Sequence, residues 1–294
     1  MTTMEGLPLK RFPKLSVAIP ASLVSDVPHL REKTFKIGLI GRALAIFRID
    51  EVIIFPDRLG EDQSREADLI ATILSYMETP QYLRKFLFKI KPELRYAGVL
   101  PPLRTPHHPT QNRKKDLKVG EYREGVVVGS DTKGIFVEIG VEHPIPVPNV
   151  IIPLNTRVTV KIIVDGKHPK ADTAKPEEIE VYWGYKVTIS KSSLGRIIKE
   201  KTFDLVIATS RHGKLFTKVA DDLLKAWKES ENVLIAFGSP TEGLHDIVSK
   251  EKLKLSDVAD FVINVIPKQA TETVRTEEAV YATLAALNLL TTVE

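Results

Sequence analysis

Hydrophobic and polar positions follow two different periods along the N-terminal third of the chain. Residues 15–19 and 51–55 are short runs of mostly apolar, often branched side chains, which are typical of strands buried in a parallel sheet. In residues 29–47 and 62–77, apolar side chains recur at helical spacing, and a further short helix is predicted at residues 81–88. The order strand, helix, strand, helix predicts a parallel α/β sheet.

A different pattern begins near residue 91. Residues 91–109 are rich in proline, including the segment PPLRTPHHP, and are not expected to form regular structure. Between residues 119 and 189 the chain predicts only short strands, at residues 122–128, 135–139, 157–164 and 178–189. Such a set fits a small β-barrel of the oligonucleotide-binding (OB) type, with a small β-sandwich as the alternative.

The α/β pattern returns after residue 190. Strands are predicted at residues 203–209, 233–237 and 261–266, and helices at residues 194–201, 219–230 and 277–290. Residues 210–214, SRHGK, are predicted as a loop. We therefore expect a discontinuous α/β domain built from residues 1–90 and 186–294, with a basic linker and an OB-like domain inserted at residues 91–185.

Composition excludes several classes of protein. Hydrophobic residues make up 43% of the 294 residues, which is enough for a sizeable core. No apolar run reaches the roughly 18 residues that a membrane span needs, so none is expected. The absence of cysteine excludes disulfides, thiolate metal sites and cysteine nucleophiles. The N-terminal segment lacks the apolar centre of a secretory signal, so we expect a cytoplasmic protein.

Positive charge is concentrated between residues 84 and 118. The net charge of the whole chain is only +4, but this segment holds ten lysines and arginines against Glu93 and Asp116. Such a block favours nucleic-acid binding, and a solvated basic linker is the alternative. The candidate RNA-binding side chains are Arg84, Lys85, Arg104, Arg113, Lys114, Lys115 and Lys118, together with Arg211 in the SRHGK segment.

Several familiar catalytic motifs are absent. The chain has no P-loop lysine motif, no GxGxxG after the first strand, no HExxH and no GxSxG. The seven histidines do not show the spacing of metal ligands, so no metal is expected. The sequence therefore lacks the signatures of P-loop enzymes, metalloproteases and serine hydrolases.

Two loops near the C-terminus carry residues that suit a ligand. The segment FGSPTEGL includes the end of a predicted strand, and its Gly238 and Gly243 would allow a ligand close to the backbone. The next strand is followed by a loop that ends near Thr276, a candidate helix N-cap before Glu277 and Glu278. Loops at the carboxyl ends of parallel strands bind ligands in α/β proteins, and two ordinary strand-to-helix loops are the alternative.

These loops resemble motifs two and three of the SPOUT superfamily of RNA methyltransferases. FGSPTEGL is similar to a GPEGG-like loop, with Ser239 and Thr241 as departures, and residues 274–279 are similar to the ending of the third motif. IGRALAIFRIDEVIIF resembles motif one, in which an arginine, here Arg42, precedes a Phe and the second strand. LVIATSRHG resembles a segment of an archaeal and eukaryotic subgroup with an inserted OB-like domain, and that subgroup is similar to nearly the whole chain.

The resemblance implies a C-terminal trefoil knot that binds S-adenosylmethionine, and a homodimer as the catalytic unit. The implied cofactor residues are Phe237, Gly238, Ser239, Pro240, Gly243, Leu244, Val265, Ile266, Pro267, Thr271, Thr273, Val274, Thr276 and Glu277. RNA is the implied substrate, ribosomal RNA first and transfer RNA next, methylated on a ribose 2′-OH or a base nitrogen. The apolar helix at residues 277–290 is then a candidate dimer face, with a core helix of a monomer as the alternative.

Three side chains are candidates for the catalytic site. Arg42 can orient a phosphate or stabilise an oxyanion, because a guanidinium stays protonated. Glu242, like Asp26, is a candidate general base, and Arg275 could orient the ligand or form an ion pair. Arg211 and His212 in SRHGK are weaker candidates, because a loop at the end of a strand needs polar residues in any case. Two other functions stay open: a non-catalytic dimeric RNA-binding scaffold, and a nucleotide-binding enzyme of another class, which the lack of a phosphate-cradle residue disfavours.

Overall fold

The computed structural model describes residues 6–200 and 203–292, and its chain divides into two compact units. The parallel-sheet unit comprises Arg11–Met77, Glu93–Pro102 and the described residues from Tyr185 onward. The antiparallel-sheet unit comprises residues 6–10, Glu78–Pro92 and Leu103–Gly184. Residues 78–90, predicted within the α/β domain, thus lie in the antiparallel-sheet unit. Residues 1–5 and 293–294 of the predicted domain, and residue 201 of a predicted helix, lie outside the described residues.

The strands and helices follow one another in the order expected for an insertion. In chain order, the strands are β1 (Lys14–Pro20), β2 (Glu51–Phe55), β3 (Tyr122–Asp131), β4 (Gly134–Glu138), β5 (Ile145–Pro148), β6 (Arg157–Val164), β7 (Lys170–Thr173), β8 (Lys186–Ile189), β9 (Leu205–Leu215), β10 (Asn232–Ala236) and β11 (Phe261–Asn264). The α-helices are α1 (Leu30–Ile46), α2 (Ser64–Glu78), α3 (Arg84–Leu87), α4 (Leu194–Glu200), α5 (Phe216–Glu229), α6 (Leu244–Ser249) and α7 (Thr276–Thr291).

The parallel-sheet unit is built on six strands in the order β11-β9-β10-β1-β2-β8, and every neighbouring pair is parallel. Val17, Ala18 and Ile19 on β1 are all fully buried. Successive residues of a strand point to opposite faces, so both faces of the sheet are covered at β1. The parallel α/β sheet predicted from the runs of apolar residues is confirmed.

The antiparallel-sheet unit holds five strands in the order β5-β4-β3-β6-β7, and its two edge strands, β5 and β7, contact each other. Its core is a cluster of buried aliphatic side chains that includes Val127, Val137, Ile145 and Val160. Buried residues alternate with more exposed ones along β4 and β5 and in part of β6, which is the pattern of a sheet with one buried face, whereas β3 is buried continuously from Arg123 to Val127. A separate antiparallel sheet is therefore present, as predicted, in a unit that also holds helix α3.

Helix α7 is less buried than its composition suggests. Val280, Leu284 and Leu287 are buried, whereas Ala282, Ala285 and Ala286 are only half-buried. Leu289 is 71% exposed. The helix thus presents a small-residue apolar face that no described part of its own chain covers completely. No helix among the described residues has both the length and the apolarity to cross a membrane.

Some element predictions are wrong. The strand predicted at residues 178–189 is reduced to β8, with an isolated bridge between Leu9 and Val181 before it. The SRHGK loop is part of β9, which continues to Leu215, and α5 begins at Phe216 rather than at residue 219. Strand β7 and helix α6 were not predicted. The proline-rich segment holds only two short 3-10 turns, which agrees with the expectation of irregular structure.

Candidate functional site

A cleft of about 670 Å³ opens at the carboxyl ends of β9, β10 and β11. Three segments form its walls: the end of β9, the segment Phe237–Gly243 after β10, and residues 265–275 between β11 and α7. We call the second segment the glycine loop and the third the β11–α7 loop. Ligands of open α/β proteins bind at this edge of the sheet, and the volume lies in the range of about 300–1,000 Å³ found for small-molecule sites.

The glycine loop is closed on itself by hydrogen bonds. The backbone amide of Ser239 donates to the carbonyl oxygen of Glu242 at 2.9 Å, and the amide of Glu242 donates to Ser239 Oγ at 2.9 Å. Gly238 is required at the start of the loop, since a Cβ there would lie 2.9 Å from the same Glu242 oxygen. The amide of Phe237 donates to Ala18 at the end of β1, which anchors the loop to the centre of the sheet.

The β11–α7 loop is held to the same edge by polar side chains. The backbone amide of Ile266 donates to Asn264 Oδ1, and Gln269 Nε2 donates to the carbonyl oxygens of Thr271 and Glu272. Lys268 has a φ of 55°, a left-handed conformation that lets the backbone turn sharply. The loop therefore has a defined shape even though most of its side chains are exposed.

The start of α7 ties the two loops together. Thr276 Oγ1 donates to the carbonyl oxygen of Gly238 at 3.2 Å. The prediction of Thr276 as the N-cap is wrong, because Arg275 occupies that position and its amide donates to Glu278 Oε2 at 2.9 Å. Thr276 is instead the first residue of the helix, which frees its hydroxyl to join the glycine loop to α7.

Most of the predicted cofactor residues line the cleft. They are Phe237, Gly238, Ser239, Pro240, Gly243, Leu244, Val265, Ile266, Thr273, Val274 and Thr276. Pro267, Thr271 and Glu277 do not line it, although Thr271 lines a neighbouring recess. The cofactor role of all of these residues stays a prediction.

The three candidate catalytic residues lie in different places. Glu242 lines the cleft, and its carboxylate forms an ion pair of 2.5 Å with Lys250. Arg42 does not line the cleft; its guanidinium donates to the carbonyl oxygen of Pro102 at 2.8 Å. Arg275 is exposed at the start of α7 and is not part of the lining either.

Asp26, the other candidate base, belongs to a charge cluster beside α7. Both of its carboxylate oxygens accept from Lys36 Nζ, at 2.8 and 2.9 Å. The same Nζ lies 3.5 Å from Glu277 Oε2, and Lys36 is only 5% exposed. The cluster therefore connects α1 to the first turn of α7, which gives Asp26 and Glu277 a structural role.

Several lining residues were not predicted as site residues. Thr209 and Ser210 come from β9, while Asn264, Gln269 and Thr283 come from β11, the β11–α7 loop and α7. His212, a weaker candidate from the sequence, also lines the cleft. Thr283 Oγ1 is fully buried and has no hydrogen-bond partner in the described part of the chain. A buried, unpaired hydroxyl in the lining of a cleft is suited to a polar ligand atom. The polar run TSRHG at the end of a strand was the sequence signal for the β9 wall.

Seven of the eight predicted RNA-binding residues belong to the antiparallel-sheet unit, since Arg211 alone lies on β9. The short 3-10 turn Lys114–Asp116 lies against this sheet, because the amide of Lys114 donates to Glu142 Oε2 at 2.7 Å. Lys115 and Lys118 are exposed beside it. This part of the basic segment is thus attached to the antiparallel-sheet unit and does not form a free linker.

A buried ionic network stabilises the same unit. Arg157 bonds to both oxygens of Glu78 at 2.6 and 2.9 Å and to Glu124 at 2.5 Å. Burial alone would raise the pKa of Glu78, but hydrogen bonds and charge from His107 and Arg157 outweigh it and lower the pKa to about 2. Trp183 Nε1 also donates to Glu124, so this indole is fixed by the network.

The comparisons with known proteins point to one family. A family model described as "Putative RNA methyltransferase" matches residues 14–287. An uncharacterized protein of Halobacterium salinarum is 35% identical, over 93% of this chain and 98% of that protein. Proteins named 28S rRNA (uridine-N(3))-methyltransferase from Drosophila melanogaster and Mus musculus are each 33% identical over 93% of this chain. The alignments cover 61% of the Drosophila protein and 75% of the mouse protein, so the chain spans less than two thirds of the former.

Proposed function

Because this chain belongs to that family of RNA methyltransferases, and is therefore an enzyme, we propose that it methylates N3 of a uridine in ribosomal RNA. The proposed methyl donor is S-adenosylmethionine, and the proposed catalytic unit is a homodimer located in the cytoplasm. Two relatives named as uridine-N3 methyltransferases favour a base nitrogen over the ribose 2′-OH, and ribosomal over transfer RNA.

The cleft at the carboxyl edge of the sheet is the observation that carries this proposal. S-adenosylmethionine supplies an electrophilic methyl group on a sulfonium. The protein therefore has to bind the cofactor and the acceptor, orient them and exclude water from between them. Phe237, Leu244 and Ile266 give the cleft apolar walls that suit an adenine ring. The exposed polar atoms of the two loops and the unpaired Thr283 hydroxyl suit a ribose and an amino acid group. The residues present therefore fit this cofactor.

Glu242 is one of three acidic residues in the lining of the cleft, with Asp246 and Glu272, and is the proposed proton acceptor of the reaction. Its carboxylate is ion-paired with Lys250 Nζ, which fixes its position in the lining. Arg42 is the proposed acceptor-side residue, and since it lies outside the cleft of its own chain, we assign this role to Arg42 of the second subunit. A catalytic role is less well supported for Arg275 than for Glu242 or Arg42, because Arg275 is exposed and serves as the N-cap of α7.

The incompletely covered face of α7 supports the homodimer. Ala282, Ala285 and Ala286 allow close approach of a second helix, and Leu289 would be buried by it. We also propose that the C-terminal loops form a trefoil knot, which rests on their resemblance to the SPOUT motifs. A light-scattering mass near twice the 32.9 kDa of the chain is expected at micromolar concentration, and a mass of one chain would contradict the dimer.

The antiparallel-sheet unit is the proposed RNA-docking module. Its five strands, with the edge strands β5 and β7 in contact, are consistent with a partly open barrel of the OB type. The predicted basic residues of this unit, including Lys114 and Lys115, would contact phosphates. RNA binding by this surface should therefore weaken steeply as salt increases.

Incubation with S-adenosylmethionine carrying a deuterated methyl group tests the proposed function. Large-subunit ribosomal RNA transcribed from the genome of the source organism serves as the acceptor, and nucleosides are identified by mass spectrometry. We expect labelled 3-methyluridine. Label in a 2′-O-methyl nucleoside would show that the acceptor is wrong. A protein that binds the RNA but gives no heat with S-adenosylmethionine in calorimetry would be the non-catalytic scaffold instead.

A further inference from the structure

Strand β9 leaves the sheet for five residues beside the cleft. Val262 of β11 pairs with Ala208, but the next residue, Ile263, pairs with Lys214. Residues 209–213, which we call the β9 arch, are therefore inserted between two successive rungs of the sheet. A bulge-like insertion of this kind changes the direction of the side chains on the strand, and such insertions are common beside functional sites.

The β9 arch is fixed at both ends. Thr209 Oγ1 donates to the carbonyl oxygen of Ala236, and Asn264 Nδ2 donates to the carbonyl oxygen of Arg211 at 2.8 Å. At the far end only glycine fits, because a Cβ on Gly213 would lie 2.6 Å from the carbonyl carbon of Ile263. The arch is thus held in a defined conformation, and Arg211 and His212 lie at its middle, which we call the crest.

The crest is part of the lining of two hollows. One is the cleft assigned to the cofactor, and the other is a recess of about 380 Å³ that shares most of its lining residues with the cleft. Arg211, His212 and Asn264 line both hollows, whereas Lys268 and Thr271 line only the recess. A methyl acceptor has to meet the donor in line at short range, so its pocket must share a wall with the cofactor cleft. The recess meets that requirement.

Hydrogen bonding sets which ring nitrogen of His212 faces a ligand as a donor. Arg211 Nε donates to His212 Nε2 at 3.1 Å, so Nε2 is the unprotonated acceptor. The proton of the neutral ring is then on Nδ1. Arg211 is itself oriented by a bond from Nη1 to the carbonyl oxygen of Glu272. The pair therefore offers an N–H donor, Nδ1–H, rather than a base.

We propose that the recess is the pocket for the acceptor uracil and that His212 Nδ1–H binds one of its two carbonyl oxygens. This inference rests on the proposed function. N3 of uracil gives its proton to Glu242, the proposed proton acceptor; the N–H electron pair stays on the ring and spreads over O2 and O4 before N3 takes the methyl group. A donor on one of these oxygens binds the anion more strongly than the neutral base, which lowers the barrier.

If the oxygen bound is O4, the same donor also discriminates between uracil and cytosine. Cytosine carries an amino group where uracil carries O4, so a donor aimed at that position would meet another donor. The base must also be unpaired, since N3 lies on the pairing edge and becomes accessible only when the base is extruded or single-stranded. Lys268 at the rim of the recess is placed to meet the phosphate of such a nucleotide.

Methylation kinetics of the His212→Ala and His212→Gln proteins test the assignment. Single-turnover rates are measured with large-subunit rRNA transcripts of the source organism that contain either uridine or 5-fluorouridine, whose N3 is more acidic. We expect His212→Ala to slow methylation of the uridine transcript by roughly 100-fold, the low end of the loss found for an oxyanion donor. The loss should shrink several-fold with 5-fluorouridine, and His212→Gln, which keeps an N–H, should lose less.

His29→Ala is the matched control, because His29 is exposed at the start of α1 and its side chain makes no capping hydrogen bond. Its rates should equal those of the unaltered protein. Equal rates for His212→Ala, or the same loss with both transcripts, would overturn the role of His212. Weaker S-adenosylmethionine binding by His212→Ala in calorimetry would place the residue in the cofactor site and also overturn it. If the unaltered protein makes no 3-methyluridine, the proposed function fails, and this inference fails with it.

Discussion

Gly238→Ala tests whether the glycine loop has to keep its closed shape to bind the cofactor. A Cβ on residue 238 would lie 2.9 Å from the carbonyl oxygen of Glu242, closer than real Cβ contacts. That oxygen also accepts the amide of Ser239, so it cannot retreat without weakening the bond that closes the loop. Loss of that bond costs about 1 kcal/mol and overpacking about 1–3 kcal/mol. These costs sum to about 2–4 kcal/mol. Because about 1.4 kcal/mol corresponds to a factor of ten, we expect the Kd for S-adenosylmethionine to rise roughly 30- to 700-fold.

Isothermal titration calorimetry measures this Kd directly, and circular dichroism verifies that the variant is folded. Gly98→Ala provides a matched control, since a Cβ on Gly98 meets no atom within 4 Å and the residue lies outside the cleft. Its Kd should stay unchanged within error. If folded Gly238→Ala protein binds S-adenosylmethionine as tightly as the Gly98→Ala protein, the glycine loop is not part of the cofactor site.

Three further predictions concern other parts of the molecule. Burial and the neighbouring His107 lower the pKa of His108 from 6.5 to about 4, so only the unfolded chain takes up this proton as the pH falls between those values. Urea denaturation should therefore show stability falling by up to about 3 kcal/mol over that range, less so in His108→Gln. Leu289→Asp should give monomers in light scattering, because it places a charge on the proposed dimer face. Lys114→Gln with Lys115→Gln should weaken RNA binding and reduce the slope of log affinity against log salt by between about 1 and 2.

The dimer and RNA-binding predictions each have a control of the same chemistry. Leu59 is 50% exposed but lies far from α7 in sequence, and Leu59→Asp should leave the mass of the particle unchanged. Lys225 and Lys228 are exposed on α5, and their neutralisation should leave the salt slope unchanged. If the Leu289→Asp protein is still a dimer, α7 is not part of the dimer interface. If neutralising either lysine pair weakens RNA binding equally, the attraction is non-specific. If the pH dependence of stability is the same in His108→Gln as in the unaltered protein, the lowered pKa of His108 is wrong.

The elements that could be predicted from the sequence are those fixed by local pattern. Strands β1, β2 and β10 are buried on both faces, and such strands are short apolar runs in any parallel sheet. Gly238 and Gly243 marked the loop after β10, because a close backbone turn needs residues without side chains. The parallel sheet and much of the lining of the cleft followed from these signals alone.

The failures come from contacts between residues distant in sequence. The apolar residues from 178 to 189 read as one strand, but Gly184 interrupts them with a φ of 91°, and a Cβ there would lie 2.5 Å from Glu78 Oε1. The β9 arch is held by Asn264 and by the close approach of Gly213 to Ile263, and neither contact has a local signature. The position of Arg42 outside the cleft was equally hidden, since a motif does not give the location of its residues relative to a cavity.

The most direct test of the account is nucleoside mass spectrometry of large-subunit ribosomal RNA from cells with and without this chain. The account predicts that 3-methyluridine at one position disappears when the chain is absent and returns when the intact protein is supplied. The Gly238→Ala protein, expressed at the same level, should restore the modification poorly. An unchanged amount of 3-methyluridine, together with loss of a different methylated nucleoside, would contradict the central claim.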